Sequence, residues 1–276
     1  MNEARSFPMR RLALPPVVAA GMLWLGAVIV ACLVGPALSH HDPDAVDVTH
    51  QYLAPSAAHW LGTDSLGRDE LVRLLLGGRI SLLVGFVAAI VAIAIGTAYG
   101  TAAGFYGGRI DALMMRIVDV LLSVPTLFLL LFLASMFRGS LLSLMLVIGV
   151  TSWLGPARLV RGEVLTLRER EYIEAARSLG AGDARVMFRH LVPNALGTIV
   201  TTTTFMVAGA MLAETALSYL TIGVRPPTPS WGNMLSSAQK DIFAGALWLI
   251  MPPGLAILST VCALNFIGDW LRERAA

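Results

Sequence analysis

The chain has 276 residues, of which 56% are hydrophobic and only 14% charged, and its mean hydropathy is +0.72. Soluble domains carry about 25% charged residues, so this composition excludes an ordinary soluble domain and indicates a protein solvated by a lipid bilayer. The net charge of +2 is too small to indicate nucleic acid binding, and Cys32 and Cys262 lie in apolar runs that suggest no disulfide framework.

The first apolar run covers residues 12–38 and allows two interpretations. The residues up to Cys32 resemble the cleavage site of a bacterial lipoprotein, and Arg10 and Arg11 would suit a signal peptide or an anchored span. Because the run continues beyond Cys32 and is too long for a signal core, we favour an uncleaved first span.

Six apolar runs are long enough to cross the membrane. A helix needs roughly 20 residues to cross about 30 Å of hydrocarbon, and the runs of this length are 15–38, 80–106, 112–137, 140–159, 195–222 and 243–268. Glycine and alanine are frequent in them, which predicts close packing between helices. The sequence therefore predicts an all-α integral membrane protein with six transmembrane helices.

Two segments between these runs are unusual. Residues 66–79 mix leucines with charged residues, which predicts a helix in the outer membrane interface that starts at Asp64 or Ser65. It would anchor the second span, or contact a delivered substrate or a binding protein. Residues 223–233 contain three prolines in four positions, which excludes regular helix there, and Trp231 is expected at the membrane interface. An outer gate, a docking surface and a stiff connector all remain open for this segment.

The basic residues indicate the orientation. Placing both the N- and C-termini in the cytoplasm puts most of the 20 Lys and Arg residues on the inner side, together with residues 169–194. The outer segments would then be residues 39–79, a short turn near Arg138, and residues 223–242.

The charged segment 169–194 predicts two short helices joined by a glycine elbow. In residues 169–179, a modest apolar stripe has helical spacing, and it consists of Tyr172, Ile173, Ala176 and Leu179. Gly180 and Gly182 should end this helix.

The second helix of this segment is predicted over residues 183–190, and Pro193 marks the entry to the fifth span. Asp183 is expected as its N-cap, and its apolar contacts should be Val186, Met187 and Phe188.

This segment also carries a family resemblance. Glu174-Ala175-Ala176, Gly180 after three further residues, and Pro193 thirteen positions later resemble the EAA loop of ATP-binding-cassette (ABC) import permeases. The resemblance implies that the loop contains a coupling helix that sits in a groove of an ATP-hydrolysing subunit. The two small alanines would permit close docking, and Glu174 would hold a basic group or a backbone donor. Residues 189–194, RHLVPN, are similar to the end of the loop in peptide permeases.

Three further stretches, residues 59–85, 214–235 and 248–273, resemble dipeptide, oligopeptide and nickel permeases, and in particular the C-type subunit. The resemblance implies the type I ABC importer transmembrane fold, with a type-1 permease domain over residues 76–269 and a coupling loop over residues 158–194. Residues 1–60 would hold the N-terminal cytoplasmic segment, the first span and the start of an external loop.

The same resemblance implies the partners and the location. The expected partners are a second homologous permease subunit, two ABC ATPase subunits, an external substrate-binding protein and the lipid bilayer, with no nucleic acid. The protein would be a multi-pass component of the bacterial inner (plasma) membrane. No catalytic, metal-binding or cofactor-binding residue is expected in this chain.

Two acidic residues, Asp119 and Glu214, lie inside predicted spans, where a charge costs about 2.5–3.5 kcal/mol on insertion scales. They are predicted at different depths, so we do not expect them to pair with each other. Intramembrane interface contacts are favoured over a proton relay.

Several functions remain open at this stage. The chain contains no GxxxxGK[ST] phosphate loop, so energy from ATP would have to come from another subunit. Di- or oligopeptides are the expected substrates, with nickel or another small solute as alternatives. A proton-coupled secondary transporter using Asp119 or Glu214 is a second class. An intramembrane enzyme is disfavoured, since only residues 266–269 faintly resemble an aspartyl-protease motif.

Overall fold

The structure is a computed structural model that describes residues 14–39, 42, 44–137 and 140–275. It contains twelve α-helices within these residues and no β-strand. The helices are α1 (Pro16–Leu38), α2 (Glu70–Tyr106), α3 (Gly108–Leu122), α4 (Thr126–Met136), α5 (Leu141–Ser152), α6 (Leu154–Leu167), α7 (Glu171–Ser178), α8 (Asp183–Val186), α9 (Val192–Asn194), α10 (Leu196–Tyr219), α11 (Trp231–Asp241) and α12 (Met251–Ala275). Arg10 and Arg11, which precede the predicted first span, lie outside the described residues. The predicted outer turn near Arg138 lies outside them as well.

Four helical stretches are long and apolar enough to cross a membrane, or six if each of two bent helix pairs counts as one span. The four are α1, α2, α10 and the stretch Leu247–Arg274, and the bent pairs are α3 with α4 and α5 with α6. The prediction of an all-helical membrane protein is confirmed for the described residues.

The third and fourth predicted spans are not straight. The pair α3 and α4 bends by 80°, and the break comes just before Pro125, which disfavours the α conformation at Val124. The pair α5 and α6 bends by 45° at Trp153. Here Pro156 has no N–H to donate to the carbonyl of Ser152, so the ladder of helical hydrogen bonds is interrupted. A run of apolar residues does not reveal such breaks.

The prediction of a separate interface helix over residues 66–79 is wrong, because most of this segment is the first part of α2. The helix α2 runs without a break through 37 residues, about 55 Å. Its N-cap is Asp69, whose carboxylate accepts a 3.0 Å bond from the amide of Val72. The expected cap Asp64 instead accepts hydrogen bonds from Arg68 and closes the turn at Gly67, where φ is +74°.

The segment after α10 also differs from the prediction. Regular helix was excluded up to residue 233, but Trp231 starts α11 with Ser230 as its N-cap, and its side chain is 1% exposed. Its indole N–H donates a 2.9 Å bond to the carbonyl of Leu74. A buried tryptophan with a satisfied N–H anchors α11 to the start of α2.

Small residues let α2 and α6 pack closely, as the sequence predicts. A Cβ atom on Gly96 would lie 2.6 Å from Pro156, and one on Gly100 would lie 2.4 Å from the carbonyl oxygen of Ala157. Four residues further along, a Cβ on Gly104 would lie 2.9 Å from the carbonyl oxygen of Arg161. Glycine at this spacing of four therefore brings the two backbones into direct contact.

Helix α1 is fastened to α2 through Arg79. Because Pro36 has no N–H, the carbonyl of Cys32 has no helical donor four residues along. The Nε of Arg79 donates to that carbonyl at 2.5 Å, and its Nη2 donates to the carbonyl of Leu33 at 2.7 Å. The arginine thus replaces the bond that the proline removes.

This arrangement predicts a coupling between two positions. Arg79→Met should destabilise the protein by about 1 kcal/mol more in the natural Pro36 background than in a Pro36→Ala background, because the alanine supplies its own N–H to Cys32. A double-mutant cycle of unfolding in detergent micelles measures the difference. Equal costs in both backgrounds would show that the two residues act independently.

Candidate functional site

The charged segment forms a short helix with a well-defined end. Helix α7 covers Glu171–Ser178, and Gly180 follows it with φ at +83°. The amide of Ala181 donates to the carbonyl of Ala176 at 3.0 Å, and the amide of Gly180 donates to that of Arg177 at 2.9 Å. This is the Schellman pattern, so the prediction that Gly180 ends the helix is confirmed. Gly182 does not share this role, since it is the N-cap of α8 with φ at −72°.

The second helix of the segment is more irregular than the sequence predicts. Its α-helical part ends at Val186 and passes through a π-helical turn, Met187–Leu191, into α9. Val186 is buried as expected, whereas Phe188 is 67% exposed. Pro193 lies in α9, just before α10 begins.

One face of α7 is attached to the helical body. Ile173 is fully buried in a cluster with Phe105 of α2, Val164 of α6 and Ile199 of α10. The guanidinium of Arg177 lies over the ring of Phe105, 4.9 Å from its centroid. This buried cluster packs α7 together with side chains of α2, α6 and α10.

The other face of α7 is open. Ala175 is exposed and lies about 200° around the helix from the buried Ile173, and Glu174 is exposed beside it. Ala176 is partly buried, and Leu179 is 88% exposed although the sequence placed it in the apolar stripe. The structure thus brings Glu174, Ala175 and Ala176 onto one short helix, with Gly180 at its end.

Ion pairs join α3 to α6 near this end of the molecule. Arg161 binds Asp111 through two guanidinium nitrogens, and its Nε lies 2.9 Å from Oδ1. Asp119 pairs with Arg158, and both side chains are about half exposed. Asp119 has therefore a partner within the chain and still reaches the surface. Sequence reasoning missed the Asp111–Arg161 pair, because nothing local joins residues 50 positions apart.

Glu214 lies elsewhere, in a buried polar network. It is 0% exposed, and its two carboxylate oxygens accept hydrogen bonds from Ser81 at 2.9 Å and Ser218 at 2.6 Å. Each serine oxygen also accepts a backbone amide, from Trp231 and Val224 respectively. Glu214 is expected from the sequence to make intramembrane interface contacts, and in the structure its hydrogen bonds are with Ser81 and Ser218 of the same chain. Its carboxylate lies inside this subunit, where it joins α2 and α10 to the start of α11.

The segment before α2 and the end of α11 form the opposite end of the molecule. Phe105 and Gly78, which contact α7 and Trp231 respectively, are 27 positions apart on α2, or about 40 Å. Tyr52 donates a 2.9 Å hydrogen bond to Asp241. Burial raises the pKa of Asp241, and this bond opposes the shift.

A hydrogen-bonded turn lies in the same segment. The hydroxyl of Thr49 and the ring of His50 bond to Asp47 and lower the pKa of its carboxyl from 3.8 to about 2.

Within the described residues no group of three or more His, Cys, Asp or Glu could hold a metal ion.

The comparisons with known proteins identify the family. A family described as "Binding-protein-dependent transport system inner membrane component" matches residues 96–275, well over half of the chain. The chain belongs to this family. The match includes α7, α10 and Glu214, and it confirms the resemblance to ABC import permeases.

Curated relatives of this permease cover nearly its whole length. The dipeptide transport system permease protein DppC of Bacillus subtilis (strain 168) is 40% identical over 264 residues, which are 96% of this chain and 82% of that protein. The oligopeptide transport system permease protein OppC of Escherichia coli (strain K12) is 40% identical over 92% of this chain and 84% of that protein. OppC of Bacillus subtilis (strain 168) is 37% identical over 92% of this chain and 83% of that protein.

The cap of α7 makes a testable prediction for the permease. A Cβ atom on Gly180 or on Gly182 would meet nothing within 4 Å, but only Gly180 has a positive φ. Gly180→Ala should therefore weaken α7 by about 1 kcal/mol, so that its amides exchange with solvent about five-fold faster. Gly182→Ala is the matched control and should leave exchange unchanged. Equal exchange in both variants would contradict a conformational role for Gly180.

Proposed function

We propose that this chain is one of two permease subunits of an ATP-driven importer for di- or oligopeptides. The single observation that carries the proposal is α7, which exposes Glu174 and Ala175 while Ile173 anchors it in the helical body. The dipeptide and oligopeptide permeases named above support the substrate class.

In this proposal the end of the molecule that carries α7 faces the cytoplasm, and so do both termini. Residues 158–194 serve as the coupling loop of a permease domain that spans residues 76–269. Glu174, Ala175, Ala176, Gly180 and Pro193 are its coupling residues. The concentration of arginine in residues 158–194 supports this orientation, and the family description supports a location in the bacterial inner membrane.

The proposed mechanism follows from the packing of α7. Two ABC ATPase subunits close when they bind ATP, and α7 of this chain moves with the one on which it docks. The cluster around Ile173 transmits the movement to α2, α6 and α10, and the path between the two permease subunits opens to the other side of the membrane. The partners drive the change because their nucleotide-bound state has higher affinity for one of the two conformations.

Reconstitution tests this proposal. The permease should co-purify with a second transmembrane subunit and two ATPases, and proteoliposomes of this complex with the external binding protein should take up labelled Ala-Ala only with Mg-ATP. Omitting the ATPases should abolish uptake. A proton-coupled transporter would instead take up the dipeptide along a pH gradient without the ATPases, which would refute the proposal. Nickel uptake without peptide uptake would favour the alternative substrate.

A further inference from the structure

A cavity of about 480 Å³ lies at the end of the molecule opposite α7. It is bounded by the start of α2, the end of α4, the start of α5 and residues 222–228. This volume lies within the range of about 300–1,000 Å³ that is typical of sites for small molecules. One side of the wall is apolar, with Ile80, Leu144 and Val147, and the hydroxyl of Thr228 contributes a polar group.

The cavity has one charged group in its wall, within the part of the chain that the structure describes, and it is Arg225. This residue is exposed, and none of the described residues forms an ion pair or hydrogen bond with its side chain. Arg161, in contrast, has a carboxylate partner in the chain, Asp111. Arg225 thus offers an unused planar donor to a ligand in the cavity.

The backbone that carries Arg225 is held on both sides. The amide of Val224 donates to the hydroxyl oxygen of Ser218 at 2.9 Å, and that hydroxyl donates to the buried Glu214. On the other side, the side-chain amide of Asn233 donates to the carbonyl of Thr228 at 2.9 Å. A donor on a fixed backbone loses less conformational entropy when a ligand binds, so the position is preorganised for recognition.

We infer that this cavity is a transient subsite for the transported peptide, in which Arg225 binds the C-terminal carboxylate. An arginine fork matches a carboxylate with two parallel hydrogen bonds, and the neighbouring hydroxyl of Thr228 is suited to the polar backbone of a peptide. The apolar wall with Leu144 and Val147 would accommodate side chains of varied size. The inference rests on the proposed function and adds a contact residue to it.

The test uses the complete importer in proteoliposomes, with the external binding protein saturated with labelled Ala-Ala. Arg225→Gln should lower the uptake rate roughly ten-fold, which corresponds to the loss of one charge-assisted interaction, while ATP hydrolysis stimulated by the loaded binding protein stays near the wild-type rate. Arg225→Lys should restore part of the uptake, because it keeps the charge and loses the fork. Lys240→Gln is the matched control, since Lys240 is an exposed base on α11 that does not line the cavity, and it should leave both rates unchanged.

Three outcomes would overturn the inference. Uptake by Arg225→Gln within two-fold of the wild type would show that the carboxylate is not held here. A parallel fall of uptake and ATP hydrolysis, or loss of the second permease subunit on purification, would assign Arg225 to docking or assembly instead. If the wild-type complex takes up no peptide at all, the proposed function itself fails, and that result is distinct because it appears before any substitution is made.

Discussion

Replacing Ala175 with tryptophan should lower peptide uptake by about 30-fold or more, without unfolding the permease. Ala175 is exposed on the face of α7 opposite Ile173, so an indole there would project away from the helical body and into the proposed ATPase groove. Loss of a central contact in a protein interface costs about 2 kcal/mol or more, which is the origin of the expected factor.

Ala175→Ser is the matched control for this prediction. Serine and tryptophan have similar helix propensities, so both variants perturb α7 itself to a similar degree, and only tryptophan adds bulk. The serine variant should retain uptake and co-purify with the ATPases, and the tryptophan variant should lose both. Thermal unfolding of the isolated chain should be similar for the two. Normal uptake by Ala175→Trp would mean that this face of α7 docks on nothing.

Replacing Glu214 with leucine should destabilise the permease by about 2–4 kcal/mol. The substitution leaves the buried hydroxyls of Ser81 and Ser218 without their acceptor, and a buried polar group that loses its partner costs about 1–3 kcal/mol. The amides of Val224 and Trp231 bond to these same serines, so their exchange with solvent should also accelerate. Unfolding in detergent and amide exchange together measure the effect.

Glu214→Gln should cost less than the leucine variant. The glutamine amide keeps one oxygen acceptor, but its NH₂ group can only donate, so one serine hydroxyl must find another acceptor. Glu163→Leu is the control, because Glu163 is partly exposed and accepts one hydrogen bond, at 3.1 Å from Thr198. It should cost under about 1 kcal/mol. A Glu214→Leu variant as stable as the wild type would show that the network does not hold α11 in place.

The elements that sequence reasoning predicted well are those with local signals. The first span was expected over residues 15–38 and is Pro16–Leu38, and the fifth was expected over 195–222 and is Leu196–Tyr219. Gly180 was expected to end α7 and does so with a positive φ. Apolar length and a glycine that can adopt left-handed backbone are properties of a few adjacent residues.

The errors arose where tertiary contacts outweigh local preference. The charged residues at 66–79 predicted an interface helix, but Asp64 and Arg68 bond to each other, and α2 continues through the segment to Tyr106. The sequence excluded regular helix up to residue 233, but Trp231 starts α11, where the carbonyl of Leu74 on α2 accepts its N–H in the interior. In each case the deciding partner lies on another element or across a turn.

The sequence by itself determined that this protein is a helical membrane protein and that the short helix α7 ends at Gly180, because hydrophobic length and backbone freedom act over a few neighbouring residues. Only the tertiary structure decided that Glu214 is buried and bonds to Ser81 and Ser218, that Arg79 binds the carbonyl freed by Pro36, and that Arg225 lines a cavity. These contacts join residues far apart in the chain, and a hydrogen bond forms only when packing brings donor and acceptor within about 3 Å of each other.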